Sequence, residues 1–245
     1  GNESGILDRG SVHQMGTIIR GENGQPFPYF FGYKTDGVFQ NWGEVHAYTN
    51  AEGGLIQPDA QPGDFRYKDL NGDGSITAEG DRANLGKCVP SWTYGINASI
   101  DWKGIDFSMV WQGVAGNKIF DATRRTDIPT MNQPKYVLNR WTGEGTTNDY
   151  PRFTVTDPNQ NWSKASDFFI KDASYFRLKN VTLGYTLPVN WTNKIFVKKF
   201  RVYVACENAL TFTKYDGFDP EIADYVDRGI YPQARTVQFG ANITF

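Results

Sequence analysis

Trp92-Thr93-Tyr94-Gly95-Ile96-Asn97-Ala98-Ser99-Ile100-Asp101-Trp102 is the stretch on which the fold turns. Its even positions are Trp, Tyr, Ile, Ala, Ile and Trp, and its odd positions are Thr, Gly, Asn, Ser and Asp. Successive side chains of a strand point to opposite faces, so strict alternation predicts a strand with one apolar and one polar face. Lys103-Gly104 then supplies a tight turn. Residues 105–112 return with Ile105, Phe107, Met109 and Trp111 on one face. Asp106, Ser108 and Gln112 lie on the other, with Val110 as the exception. The two segments read as a β-hairpin.

Working outward, the same period returns three times. Val181, Leu183, Tyr185 and Leu187 alternate with Thr182, Gly184 and Thr186, and Pro188 closes that strand. Phe200, Val202, Val204 and Cys206 alternate with Arg201, Tyr203, Ala205 and Glu207. The chain ends on Val237, Phe239, Ala241, Ile243 and Phe245, set between Thr236, Gln238, Gly240, Asn242 and Thr244. An aromatic segment at 29–39 is less regular but strand-like.

The connections are unequal. Those at 103–104 and 188–199 are short or moderate, whereas 41–91, 113–173 and 213–234 are long. Loops beyond ~15 residues are uncommon in compact soluble domains. Long and short connections that alternate put nearly all the loop mass at one end of the sheet, as in transmembrane barrels. The expected fold is therefore all-β: an antiparallel transmembrane β-barrel segment with extracellular loops at 41–91, 113–173 and 213–234.

Three features favour lipid over a soluble sandwich. The apolar face of the first hairpin is unbroken and is bounded by Trp92 and Trp102. About ten steps of ~3.4 Å, tilted ~45°, span roughly 24 Å of height, against an apolar band of ~25 Å with aromatic girdles. The opposite face is small and polar, unsuited to a sandwich core and poor in the Lys and Glu of a solvent face. Phe239, Ile243 and Phe245 form an aromatic terminal strand of the kind outer-membrane barrels offer to their assembly machinery.

Composition fits this reading and narrows the function. The 245 residues carry a formal net charge of −2 and a pI of about 5.7, which argues against a nucleic-acid partner. Mean hydropathy is −0.52, yet aromatics reach 15%. Alternation accounts for both, because half of each strand faces water. Only His13 and His46 are available for a zinc site or a Ser-His-Asp triad, and both lie in polar contexts. Cys88 and Cys206 form no CxxC and no disulfide framework. Carboxylates such as Asp101, Asp106 and Glu207 show no pairing for glycoside hydrolysis. These residues give no positive sign of an enzyme, and a β-sandwich or propeller glycoside hydrolase stays as a third reading.

One polar tract carries a motif. Asp69-Leu70-Asn71-Gly72-Asp73-Gly74-Ser75-Ile76-Thr77 matches the opening of a calcium loop. Asp69, Asn71 and Asp73 would give side-chain oxygens, Ser75 a carbonyl, and Gly74 the bend. The twelfth position is Gly80, so Glu79 or Asp81 would have to close the shell of a structural calcium. An Asx-rich turn without metal is the competing reading.

Several stretches together resemble one family. They are Phe31-Gly32-Tyr33-Lys34-Thr35-Asp36-Gly37-Val38-Phe39-Gln40, Pro62-Gly63-Asp64-Phe65-Arg66-Tyr67-Lys68 running into the polar tract as far as Gly74, and Ala173-Ser174-Tyr175-Phe176-Arg177-Leu178-Lys179-Asn180-Val181-Thr182-Leu183-Gly184-Tyr185. Arg201-Val202-Tyr203, Glu207-Asn208-Ala209-Leu210-Thr211-Phe212-Thr213-Lys214-Tyr215, Gly217-Phe218-Asp219-Pro220-Glu221, Tyr231-Pro232-Gln233-Ala234-Arg235-Thr236 and the terminal Phe239-Gly240-Ala241-Asn242-Ile243-Thr244-Phe245 follow in order. The set resembles the carboxy-terminal portion of SusC/RagA-type TonB-dependent outer-membrane transporters of Bacteroidota. Lys87-Cys88-Val89-Pro90 and the offset at Gly80 depart from the pattern.

The resemblance implies the last strands of a 22-stranded plugged barrel in the outer membrane of a Gram-negative bacterium. It implies import of oligosaccharides or oligopeptides, a SusD-like surface lipoprotein as partner, and energy from TonB acting on the plug. The rest of the barrel and the plug would be needed too, so a chain opening on Gly1 reads as a fragment or a part of a split or nicked transporter. Trp42, Tyr48, Trp141, Tyr150 and Trp162 are candidate substrate contacts, since an aromatic ring offers an apolar face to a pyranose. Arg124-Arg125 are candidate partners for acidic groups. The alternative is a secreted, calcium-clasped, β-rich carbohydrate-binding module, which would show a Lys/Glu-rich exposed face and ordinary loop lengths.

Overall fold

The computed structural model describes residues 6–11, 15–123, 132–133 and 135–245. His13 and Arg124-Arg125 lie outside the described residues. The strands are β1 (Ile6–Ser11), β2 (Thr17–Glu22), β3 (Tyr29–Tyr33), β4 (Thr35–Val38), β5 (Phe65–Tyr67), β6 (Arg82–Lys87), β7 (Trp92–Trp102) and β8 (Ile105–Ala115). They continue as β9 (Lys118–Asp121), β10 (Ile170–Asp172), β11 (Tyr175–Thr186), β12 (Lys199–Thr213), β13 (Val226–Asp227) and β14 (Thr236–Thr244). Two short α-helices, α1 (Trp42–Ala47) and α2 (Val189–Thr192), complete the set with a few 3-10 turns. Among the described residues no helix is long and apolar enough to cross a membrane, which leaves strand-built crossing open.

The chain divides into two compact units. One is built from 90–117, 172–223 and 229–245 and holds a 5-stranded antiparallel sheet in the order β14-β12-β11-β8-β7. β7 and β8 pair along their whole length, from Trp92 opposite Ala115 to Trp102 opposite Ile105. The turn between them is Lys103-Gly104 with φ of 50 and 86°, the left-handed pair a two-residue hairpin needs. β11 pairs with β8 and with β12, and the register shifts between Leu178 and Asn180 on both sides. Asn208 on β12 takes a φ of 50° at that bulge.

The other unit gathers 1–89, 118–171 and 224–228. It holds a 4-stranded sheet β1-β2-β3-β6, a 3-stranded sheet β10-β9-β13 and the β4-β5 pair. Its largest core joins Ile18, Phe30, Cys88, Phe120, Trp162 and Phe169; Val38, Phe65 and Tyr67 make a second. The stretches expected as loops at 41–91 and 113–173 thus contribute folded structure with buried cores. The expected strand at 29–39 is two strands, β3 and β4.

A buried polar network ties this unit together. Asp64 is fully buried and accepts from Asn161 Nδ2 at 2.8 Å and from Arg152 Nε at 2.6 Å. Asn161 Oδ1 takes the Phe65 amide at 2.9 Å, and Gln57 takes the Tyr67 amide at 2.7 Å. Side-chain amides therefore stand where another strand would otherwise satisfy the β5 backbone.

Candidate functional site

The 5-stranded sheet shows its chemistry on its faces. Residues paired across strands share a face. The row Ala98, Met109, Val181, Cys206, Val237 crosses all the strands. The next row, Ile100, Phe107, Leu183, Val204, Phe239, does the same, as does the row Trp102, Ile105, Tyr185, Val202, Ala241. Every member of these rows is apolar or aromatic. Trp92 (73% exposed), Ile100 (62%), Trp102 (62%), Phe239 (84%), Ile243 (51%) and Phe245 (77%) stand open on this face or at its ends. A contiguous exposed apolar surface of this extent marks an interface.

The opposite face is mostly polar. It presents Thr93, Asn97, Ser99, Asp101, Asp106, Ser108, Gln112, Thr182, Arg201, Glu207, Gln238 and Asn242 by the same registers. Arg201 on β12 reaches across β11 to Asp106 on β8, Nε to Oδ1 at 2.7 Å. It can do so because Gly184 lies between them: a Cβ there would sit 2.5 Å from both Arg201 and Asp106.

At the long-connection end of this face, Arg177 is almost fully buried. It donates to Asp219 at 2.7 Å, to Glu221 at 2.9 Å and to Thr211 at 3.0 Å. Lys179, at the bulge, donates to Glu221 at 2.6 Å, and the Gln233 amide donates to Asp219 at 3.0 Å. The group clasps both arms of the β12–β14 connection to the sheet beside a cavity of ≈ 340 Å³. Burial alone would raise the Asp219 carboxyl, but hydrogen bonds from Arg177, Gln233 and Glu221 and the Arg177 charge bring it below its ordinary value.

In the other unit the expected substrate contacts do not gather at one point. Trp42 is exposed on α1 and stacks on His46 at 5.6 Å. Tyr48 is half-buried and donates to the Tyr67 carbonyl at 2.7 Å. Trp141 donates to Gln40 at 3.2 Å, and Tyr150 packs edge-on against Phe168 at 5.5 Å. Trp162 is a correction: at 3% exposure it belongs to the core and has no face to offer a ligand. Beside Gln40 a cleft of ≈ 530 Å³ is lined by Val38, Glu44, Arg66, Glu144 and Thr147.

The polar tract is organised by its own backbone. Asp69 accepts the Gly72 and Gly74 amides at 2.7 and 2.8 Å, and Asp73 accepts the Ser75 amide at 2.9 Å. Asn71 donates to Asp73 at 2.7 Å. Asp81 is buried and takes the Leu70 and Thr77 amides at 2.7 and 2.6 Å, while Glu79 stays exposed. Among the described residues no three His, Cys, Asp or Glu groups converge to hold a metal. The arrangement is a stack of Asx turns.

Sequence reasoning passed over Asp64, Arg152, Asn161 and Gln57, whose partners lie far away along the chain. Arg177, Asp219 and Glu221 stood inside the quoted motifs without an assigned role.

A sheet apolar across one face and polar across the other is the wall from which membrane β-barrels are built. The homologues of this chain are TonB-dependent receptors, of which it matches a part. It is 31% identical over 236 residues to TonB-dependent receptor P3 of Formosa agariphila, covering 91% of this chain and 22% of that protein. It is 31% identical to receptor P26 of the same organism, over all of this chain and 26% of that protein. To SusC of Bacteroides thetaiotaomicron it is 24% identical over 93% of this chain and 21% of that protein. The chain thus spans about a quarter of the length of these relatives. No family model matches it. Among solved structures, the RagAB peptide transporter superposes with a TM-score of 0.72 at 22% identity, over 98% of this chain and 24% of that one. At that identity the likeness is one of fold.

Proposed function

We propose that this chain forms the carboxy-terminal wall and loops of a TonB-dependent transporter in a Gram-negative outer membrane. One observation carries the reading: the 5-stranded sheet is apolar on one face and polar on the other, and large side chains of the apolar face stand exposed. In the whole transporter it would be the last part of a plugged, 22-stranded barrel. That barrel would import oligosaccharides or oligopeptides, driven by TonB through the plug, with a SusD-like lipoprotein over the loops. The relatives support this, SusC by name and RagAB as a peptide importer. Transport needs no catalytic residue. The cleft beside Gln40, with Glu44, Arg66 and Glu144, and the exposed ring of Trp42 are the substrate-facing surfaces proposed.

The test uses the intact transporter with Cys88 and Cys206 replaced by Ala. A cysteine at position 97 should react with a membrane-impermeant maleimide in isolated outer membranes. One at position 100 should resist it and react with a lipid-soluble maleimide. Equal aqueous labelling at both positions would remove the membrane reading.

We also propose that the tract at 69–81 accepts a structural calcium through Asp69, Asn71, Asp73 and Ser75. The fit rests on the spacing and on Gly74, which bends the loop with a φ of 82°. Glu79, which is exposed, or Asp81 would supply the closing carboxylate. Calcium should protect the tract from proteolysis in the intact transporter, and a chelator should reverse this. Equal cleavage in both would exclude it.

A further inference from the structure

The connection between β11 and β12 differs in chemistry from the clasped end of the sheet. It reads Pro188-Val189-Asn190-Trp191-Thr192-Asn193-Lys194-Ile195-Phe196-Val197-Lys198-Lys199, with lysines and no carboxylate. Thr192 and Val197 are buried, but Trp191 is 63% and Phe196 91% exposed. Phe196 sits at a φ of 58°, a costly conformation for a bulky residue. Hydrogen bonds hold it there: the Phe196 amide donates to Asn193 at 3.3 Å and the Val197 amide to Thr192 at 3.2 Å. The fold thus spends backbone strain on a ring that touches almost nothing.

The hairpin turn lies at the same end of the sheet. There Trp102 is exposed, and Lys103 Nζ lies 4.9 Å from its ring centre. Lys198 donates its amide to the Thr244 carbonyl at 2.8 Å, next to the exposed Phe245. It stands two residues before Phe200 and so in the register of the apolar face. Lys199 pairs with Thr244 on the polar face.

We propose that this end is an anchor for the headgroup layer of an anionic glycerophospholipid leaflet. Trp102, Trp191 and Phe196 enter the boundary between headgroups and acyl chains, where aromatic rings are favoured. Lys103, Lys194 and Lys198 reach the phosphates, their stems lying along apolar surface. Two observations choose this occupant. Trp102 ends an apolar row of the sheet, with Trp191 and Phe196 exposed in the connection at the same end, and the charge of the connecting segment is wholly positive. The inference rests on the membrane reading proposed above.

The experiment uses the whole transporter in detergent. Retained phosphatidylglycerol and phosphatidylcholine are counted by native mass spectrometry at low salt. The wild type should prefer phosphatidylglycerol. The variant K103Q/K194Q/K198Q should lose that preference, by about five-fold in affinity for each lysine, with phosphatidylcholine unchanged. Should that variant fail to assemble, Lys194→Gln alone, at an exposed site, should weaken that preference by about five-fold. No preference in the wild type, or the same preference in the variants, overturns the anchor. The cysteine at position 100 separates the two readings. Lipid protection there with unchanged lysine variants removes only the anchor, whereas aqueous labelling there removes the membrane reading itself.

Discussion

Asp219 shows how a single carboxylate can govern a loop. Burial would raise its proton affinity, but the Arg177 guanidinium and the Gln233 and Glu221 amides lower it on balance. A group whose folded value is depressed gives stability that is present above its ordinary value, near pH 4, and lost as the pH falls through the depressed one. The clasp on the β12–β14 connection should therefore open in acid. Asp157 in the other unit runs the opposite way. Burial raises its carboxyl despite the Trp162 and Asn161 amides, so its contribution is greatest at low pH and declines as pH rises through the raised value. Hydrogen exchange of the intact transporter, corrected for intrinsic pH dependence, should show 217–221 and 231–235 losing protection below about pH 4. The region around 157–162 should not follow. Asp219→Asn should leave the clasp loosened at neutral pH and abolish its acid step. An unchanged step in that variant would show that another group controls the connection.

At the scale of elements, what could be read from the chain depended on how local the information was. β7, β8, β11, β12 and β14 announce themselves by period-2 alternation, because each is polar on one side and apolar on the other. The Lys103-Gly104 turn needs only its own two residues. The bulge at Lys179 and Asn208 interrupts alternation and could not be placed by pattern. Gly184 reads as a weak point in a strand, yet it is the gap through which Arg201 meets Asp106. Any side chain at 184 would have to displace that ion pair. β5 and the core around Trp162 were illegible for a different reason. β5 is only Phe65–Tyr67, and its backbone is satisfied by Asn161 and Gln57 side chains. The parallel pairing of β9 with β13 joins Phe120 to Val226, which no local pattern encodes. An aromatic such as Trp162, met in a long polar stretch, looks like a ligand surface until its distant neighbours are known.

For the whole molecule, the decisive property is that one side of the 5-stranded sheet is apolar and the other polar, which under the proposed function would face different solvents. In water, a lysine on either side would meet the same solvent. In lipid they differ sharply. Met109 lies in the middle row of the apolar face, opposite Ala98 and Val181. Asn97 lies on the polar face, opposite Val110. A lysine at the hydrocarbon midplane costs about 2–4 kcal/mol in a membrane barrel, whereas lumen positions tolerate charge. Met109→Lys should therefore lower the stability of the assembled transporter by about that amount, while Asn97→Lys stays within about 0.5 kcal/mol of the parent. Denaturant unfolding in phospholipid vesicles, with folded barrel scored by its altered gel mobility before heating, measures both. The contrast isolates the medium, because both substitutions place the same charge on neighbouring strands of one sheet. Equal costs at the two positions would mean that both faces meet the same solvent, and the chain could not then be a barrel wall.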